Sequence, residues 1–577
     1  MESSENRFAW TNGVERFRPH LDEAGRQAAQ VVRQFQLTLV LAAGVGVITG
    51  LAVAGFEYGT NHILQWVLDQ QVWAWAVLPG VGLIAVALLT RIWHDDDSAT
   101  TDAYVRAYHQ RGGRLGLRQL WHKVLGSLLT LGSGNAFGFE GPSMLIGGSV
   151  GSVFEERFGS RIRRDDAKVL MVAGAAAGVA AVFKAPLTGL VFALEVPYRS
   201  DIARRALLPS LVAAGTAYVT YVALIGTEPL LNTGGSAPFD LKDLGGGLLL
   251  GLVCGVLARS GAWTMEWGKA LTLNKWARVA IAAVVLVALA PIAHSVLGAP
   301  MHLGPSYRAI EWATDPSRTV PVLIGLFALR AVATWVGVVG GGMGGLFIPL
   351  VTQGSIVGSI FQKFVDAPNE RLFPTVGIAA FLGAGYRTPL AGVAFVAEAT
   401  GQPGFLVPAL IAAATGQLVM GKHSFSAYQH RERQADVEPL GRMPITSIMS
   451  PNVDTVEAAS TLDEVLTVML SESRRWAPVV EDSSYVGLLA VSSIAEIPQS
   501  DWAEVTAGEI AMRDILPVGP TDTVLDVAER LRASDRGAVA VVASGKVMGL
   551  VTMRDLENVE VLLDHLSEDD STPQNPA

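Results

Sequence analysis

The chain has 577 residues, half of them hydrophobic and only 17% charged, with a formal net charge of −10. A soluble protein carries about a quarter charged residues, so a mean hydropathy of +0.37 excludes a wholly soluble chain. The acidic balance, with a pI near 5.6, argues against nucleic acid as a partner, because a phosphate-binding face needs clustered Lys and Arg.

Residues 1–34 are polar and charged (Arg7, Glu15, Arg16, Arg18, Asp22, Glu23, Arg26, Arg33). No apolar core follows Met1, so no cleavable signal peptide is expected and the segment reads as cytoplasmic. The first span is predicted over Leu37 to Val53. Arg26 and Arg33 flank it and place the N-terminus on the cytoplasmic side by the positive-inside rule. A second span is predicted over Val72 to Thr90, closed by Arg91. The one cysteine, Cys254, lies in an apolar stretch and forms no intramolecular disulfide.

Beyond residue 120 the apolar stretches become short and glycine-dense, as in Leu131 to Val153, Val169 to Val196, Leu323 to Val357 and Val376 to Thr400. Helices that break near the bilayer midplane have this character, since unwound backbone is tolerated there only around a buried polar cavity. The block also repeats itself. Gly138-Phe139-Glu140-Gly141-Pro142 leads to a string from Lys184 through Pro186-Leu187 to Glu195. Gly345-Leu346-Phe347-Ile348-Pro349 leads to a matching string from Arg387 through Pro389-Leu390 to Glu398. Order and spacing agree, so the membrane block (about 35–428) reads as two homologous halves, about 35–225 and 240–428, meeting at a midplane site.

After a linker at 429–442 the composition becomes that of a soluble domain. Two short α/β repeats are predicted at 443–500 and 507–565, with amphipathic helices at Thr461 to Ser473 and Thr523 to Ser534. The second ends in a hairpin, Ala538 to Val542 and Val547 to Thr552, around Ser544-Gly545-Lys546. Residues 566–577 are acidic and Pro-containing and are expected to be disordered.

A conducting protein must replace the water of an anion without trapping it. Helix N-termini and free backbone N–H groups do so. Both glycine-proline pentapeptides have the form of such termini, with glycine allowing close approach and proline opening a helix. Glu140, a carboxylate at this depth, is a functional candidate by default; the alternative reading is a buried ion-paired carboxylate.

These residues resemble the CLC family of chloride channels and chloride/proton antiporters. Gly138–Pro142 is similar to the family's Gly-Lys/Arg-Glu-Gly-Pro motif, Gly345–Pro349 to its Gly-x-Phe-x-Pro motif, and the C-terminal repeats to its paired CBS domains. The resemblance spans about residues 35–565. It implies an α-helical polytopic membrane protein of the CLC fold, with two inverted repeats and discontinuous helices, plus a small cytoplasmic CBS-pair domain. It further implies a homodimer in a plasma or bacterial inner membrane, both termini cytoplasmic, with one anion path per subunit. Glu140 would be the gating and proton-accepting glutamate. Backbone N–H groups of Leu346 and Phe347, and those near Phe139, would face the chloride ion.

Four departures from the family pattern stand out. Where Gly-Ser-Gly-Ile-Pro is expected the chain has Asp97-Ser98-Ala99-Thr100-Thr101, in which only Ser98 corresponds and would offer its hydroxyl to the anion. The tyrosine that closes the central site in many members is Phe425, which keeps the steric plug and loses the donor. Phe139 replaces a basic residue beside the glutamate. Val196 stands where exchangers commonly carry an internal proton-transferring glutamate, which favours passive conduction. Lys184 and Arg387 precede the Pro-Leu turns either as structural residues or, for Lys184, as positive potential for the anion.

Gly549 to Asp555 resembles the CBS ribose-binding string, with Thr552 near phosphate and Asp555 on ribose hydroxyls. The first repeat has Ser493 at the place of that aspartate. One adenine-nucleotide site is therefore expected, against the alternative of a dimerisation module that binds nothing. The expected function is a CLC-type chloride channel gated by a protonatable glutamate and modulated by its CBS domains. The alternative is a chloride/proton antiporter with another internal proton path. A membrane enzyme using Glu140 as general base lacks any partner motif, and a nucleotide sensor with a membrane anchor would not need the paired glycine-proline motifs. No catalytic residue and no metal site are expected.

Overall fold

The computed structural model describes residues 5–93, 100–110, 112–159, 168–228, 230–231, 239–305, 307–365, 369–421, 423–430, 443–451, 453–471, 474–534 and 537–556, with side chains from residue 36 except at 470, 471, 529 and 532–534. Ser98, the 431–442 part of the linker and the 566–577 tail lie outside the described residues. The chain divides into two compact units, Met1–Glu432 and Arg433–Ala577.

The first unit is helical: α1 (Glu5–Leu68), α2 (Val72–Trp93), α3 (Thr100–Gln110), α4 (Leu117–Gly132), α5 (Glu140–Phe158), α6 (Val169–Phe183), α7 (Pro186–Glu195), α8 (Leu207–Ile225), α9 (Leu241–Ala270), α10 (Lys275–Leu297), α11 (Tyr307–Ala313), α12 (Val320–Val339), α13 (Phe347–Gln362), α14 (Leu372–Tyr386), α15 (Pro389–Thr400) and α16 (Leu406–Met420). Among the described residues, seven helices are long and apolar enough to cross a membrane, and α6, α7, α13, α14 and α15 are shorter apolar helices. The first span, predicted to end at Val53, continues to Leu68. Its extension carries Glu57, which breaks the hydropathy pattern, but the Tyr221 hydroxyl and Asn61 amide donate to that carboxylate. A hydrogen-bonded carboxylate no longer forces the helix to end. The second span runs three residues past the predicted Thr90, to Trp93.

The repeat in sequence becomes a repeat in structure. α5 and α6 touch where a side-chain carbon on Gly147 would strike the Gly174 carbonyl, and the reverse. α13 and α14 touch the same way at Gly354 and Gly377. α6 ends at Lys184 and α14 at Arg387, both in the left-handed region with φ of 50° and 59°. The next residues, Ala185 and Thr388, have φ of −140° and −121°, as a following proline demands. Pro186 and Pro389 then open α7 and α15, where a missing N–H costs nothing.

The two glutamates that close the repeated strings exchange partners. Glu195, at the end of α7, accepts the N–H groups of Leu390 (3.2 Å) and Ala391 (2.8 Å) at the start of α15. Glu398, near the end of α15, accepts the N–H groups of Leu187 (2.8 Å) and Thr188 (2.7 Å) and the Thr188 hydroxyl (2.7 Å) at the start of α7. Each half thus satisfies the orphan donors of the other.

The second unit contains β1 (Ser450–Pro451), β2 (Val456–Glu457), α17 (Leu462–Ser471), β3 (Trp476–Glu481), β4 (Ser484–Ala490), α18 (Val491–Ala495), α19 (Ala507–Ile510), α20 (Val524–Ser534), β5 (Ala538–Ala543) and β6 (Lys546–Thr552). Two three-stranded sheets form, ordered β2-β3-β4 and β1-β6-β5. Thr461 and Thr523, read as first helical residues, instead stand one residue ahead of α17 and α20; the Thr523 hydroxyl donates to Asp526 and accepts its N–H, as an N-cap does. Lys546, read as part of the turn, belongs to β6. The turn is the two residues Ser544-Gly545, with φ of 49° and 82°, the pair of positive angles that matches strand twist in a tight hairpin.

Candidate functional site

The N-termini of α5 and α13 meet head to head. Gly138 N–H donates to the Gly345 carbonyl and Gly345 N–H to the Gly138 carbonyl, both at 2.9 Å, as an isolated antiparallel bridge. A side-chain carbon on either glycine would overlap the Glu140 carboxyl group. Two positive helix ends are thereby aimed at one point, and Glu140 sits there. It is the first residue of α5, has no solvent exposure, and its Oε1 accepts the Phe347 N–H, first residue of α13, at 2.6 Å. Its Oε2 has no hydrogen-bond partner among the described residues. The carboxylate is a tethered anion on helix-terminal donors.

The neighbouring donor, Leu346 N–H, points to the Tyr386 hydroxyl at 3.3 Å, and that hydroxyl donates toward Thr101 Oγ1 at 3.4 Å. Thr101 lies in the first turn of α3. Thr100 beside it donates to the Gly344 carbonyl at 2.9 Å, tying the α3 terminus to the α13 terminus. Phe425 packs against the same place: its N–H donates to the Gly385 carbonyl at 2.9 Å. Asp102 holds that segment by accepting the Ser426 hydroxyl (2.7 Å) and the Ala427 N–H (3.1 Å). A cavity of about 30 Å³ is lined by Thr100, Thr101, Leu346, Tyr386 and Phe425, among others, room for two or three water-sized particles at about 10–15 Å³ each.

Behind Phe347 the wall is aromatic. Phe183 (α6), Phe192 (α7) and Phe395 (α15) lie with ring centroids 4.5, 5.0 and 5.2 Å from it, and Tyr386 stands edge-on to Phe192 at 5.4 Å. Phe139 is buried next to Glu140 and edge-on to Phe56. Val196 is fully buried, and its carbonyl accepts from Gln429 at 3.0 Å.

Of the residues singled out in the sequence, Glu140, Phe139, Leu346, Phe347 and Phe425 fall at this junction. Lys184 is the left-handed cap of α6, and its Nζ donates to the Glu228 carbonyl at 3.2 Å. In the second unit, Thr552 and Asp555 bond to each other: the Thr552 N–H and hydroxyl donate to Asp555 Oδ2 at 2.8 and 2.7 Å. Tyr386, Thr101 and Asp102 were missed. The one sequence signal for Tyr386 is its place in the repeat, immediately before Arg387, where the first half has Phe183.

The family model described as voltage gated chloride channel matches residues 81–421, more than half of the chain. The chain belongs to the CLC family. CBS domain models match 445–499 and 507–560, so this CLC protein carries a CBS pair. Its fold is shared with solved structures. A slow cyanobacterial Cl⁻/H⁺ antiporter matches with a TM-score of 0.59 at 24% identity, over 67% of this chain and 95% of that one. A CLC-type fluoride/proton antiporter matches with a TM-score of 0.58 at 22% identity, over 69% and 98%. A eukaryotic CLC transporter matches with a TM-score of 0.57 at 19% identity, over 90% and 98%. The protein is therefore a multi-pass membrane anion transporter of the CLC family.

Proposed function

We propose that this CLC protein is a chloride channel gated by Glu140, a conductor rather than an enzyme. The observation that carries this is the Glu140 carboxylate on the Phe347 N–H at the joint of two helix N-termini. A free anion reaches that donor only when the carboxylate leaves, and protonation removes the charge that holds it there. Passive conduction is favoured because Val196 carries no proton and the side chains of α6, α7 and α15 packed on Phe347 are aromatic hydrocarbons. By the same family reading the channel is a homodimer in a plasma or bacterial inner membrane, with both termini cytoplasmic. Its CBS pair takes one adenine nucleotide at Thr552 and Asp555, and the nucleotide competes with their mutual hydrogen bonds.

One feature favours the exchanger reading. His109 and His430 stack at 3.7 Å, nearly parallel, and His109 Nε2 lies 2.7 Å from the carbonyl of Pro197, next to Val196. Reversal potential in proteoliposomes under a chloride gradient separates the two. A channel sits at the chloride Nernst potential with or without a pH gradient, and Glu140→Gln conducts at all pH values. A reversal potential that moves with the pH gradient overturns the channel and makes the histidine pair the proton site to mutate.

A further inference from the structure

We propose that Tyr386 is the side-chain hydroxyl donor to the conducted anion, standing in for the hydroxyl that Phe425 lacks. The inference rests on reading the α5–α13 junction as the anion path and names a selectivity residue within it.

Both donors at the α13 terminus are taken by protein oxygens. Leu346 and Phe347 present adjacent N–H groups there, Phe347 to Glu140 and Leu346 to the Tyr386 hydroxyl. An anion arriving at the α13 terminus displaces both. Glu140 leaves as a neutral acid. Tyr386 need not leave, because a phenol both donates and accepts. Its oxygen gives up the Leu346 N–H, and its proton turns from Thr101 to the anion. The Tyr386–Thr101 contact is long at 3.4 Å, so little is lost in the turn, while a hydrogen bond to a charged acceptor is about twice as strong as a neutral one.

Position supports the exchange of roles with Phe425. Phe425 N–H is bonded to the carbonyl of Gly385, the residue before Tyr386, and both aromatic rings line the same cavity. The two rings are therefore neighbours on one small space, and only one carries a hydroxyl. Tyr386 is 2% exposed. A phenol at this depth that serves packing alone would be better replaced by phenylalanine, as Phe183 does at the equivalent place in the first half.

The test uses the full-length protein, with chloride and iodide titrated calorimetrically and their fluxes measured in liposomes. Tyr386→Phe keeps the ring against Phe192 and removes one oxygen. Chloride affinity is expected to fall about tenfold, the order of one charge-assisted hydrogen bond, and iodide affinity less, since the larger ion accepts hydrogen bonds more weakly. Phe425→Tyr placed in the Tyr386→Phe background is expected to recover chloride preference by returning a hydroxyl to the same cavity. Unchanged chloride affinity in Tyr386→Phe overturns the proposal, as does an equal loss for both anions, which would mark a packing role. Glu140→Gln in the same assay separates the two layers: if it leaves chloride binding and flux untouched, the anion path itself has been misplaced, whatever Tyr386 does.

Discussion

The α5–α7 half and the α13–α15 half are built alike and equipped differently. Both cross their neighbours on glycine, cap with a left-handed cation, restart at proline and end in a glutamate that serves the other half. At the first helical position, however, the first half has Glu140 and the second has Phe347, and the carboxylate accepts the N–H of its own counterpart. Ahead of the cation the first half has Phe183 and the second Tyr386. One half supplies the tethered anion, and the other supplies the donors it covers. The scaffold is present twice, and the copies differ in the residues that meet at the junction. An antiparallel bridge between Gly138 and Gly345 is what a local two-fold relation produces, and it brings unlike residues face to face at that axis.

Three pairs of substitutions test how far the likeness goes. The largest effect is expected from Gly147→Val and Gly354→Val, which drive a branched side chain into the carbonyls of Gly174 and Gly377. Both should abolish folded, extractable protein. Survival of one but not the other, read by size-exclusion chromatography, would show that the halves do not carry equal load. Next comes the exchange of caps. Glu398→Gln sets an amide against three donors and Glu195→Gln against two. Thermal unfolding in detergent should show losses of about 1–3 kcal/mol, larger for Glu398→Gln, and the reverse order would break the reciprocal-cap account. The smallest effect belongs to Lys184→Gly and Arg387→Gly. Each relieves a left-handed residue of about 1 kcal/mol, offset by the lost contacts to the Glu228 and Gly421 carbonyls. Melting temperatures should change little in either variant. A large drop in chloride flux for Lys184→Gly at unchanged stability would instead assign Lys184 to the anion path.

Much of this was legible in advance, for identifiable reasons. The glycine-proline pentapeptides, Glu140 within the first of them, and the repeated strings are local patterns, readable from neighbours along the chain. What was not legible depended on contacts across the fold. The Glu57 carboxylate hid the full length of α1 because its partner, Tyr221, is 164 residues away. Tyr386 escaped notice because Leu346 lies 40 residues from it and Thr101 285. In the hairpin of the second unit, Lys546 looked like turn because polarity was read as a break, whereas it is an exposed strand residue.

Taken alone, the sequence determines that the chain is a duplicated membrane protein with a soluble α/β pair, and where its short helices start. Those are matters of hydropathy, proline and glycine, settled by neighbours along the chain. Only the tertiary structure decides that Glu140 lies on the Phe347 N–H, that Glu195 and Glu398 trade helices, and that Tyr386 and Phe425 line one small cavity. A hydrogen bond forms within about 3 Å in space, and separation along the chain places no constraint on which two groups come that close.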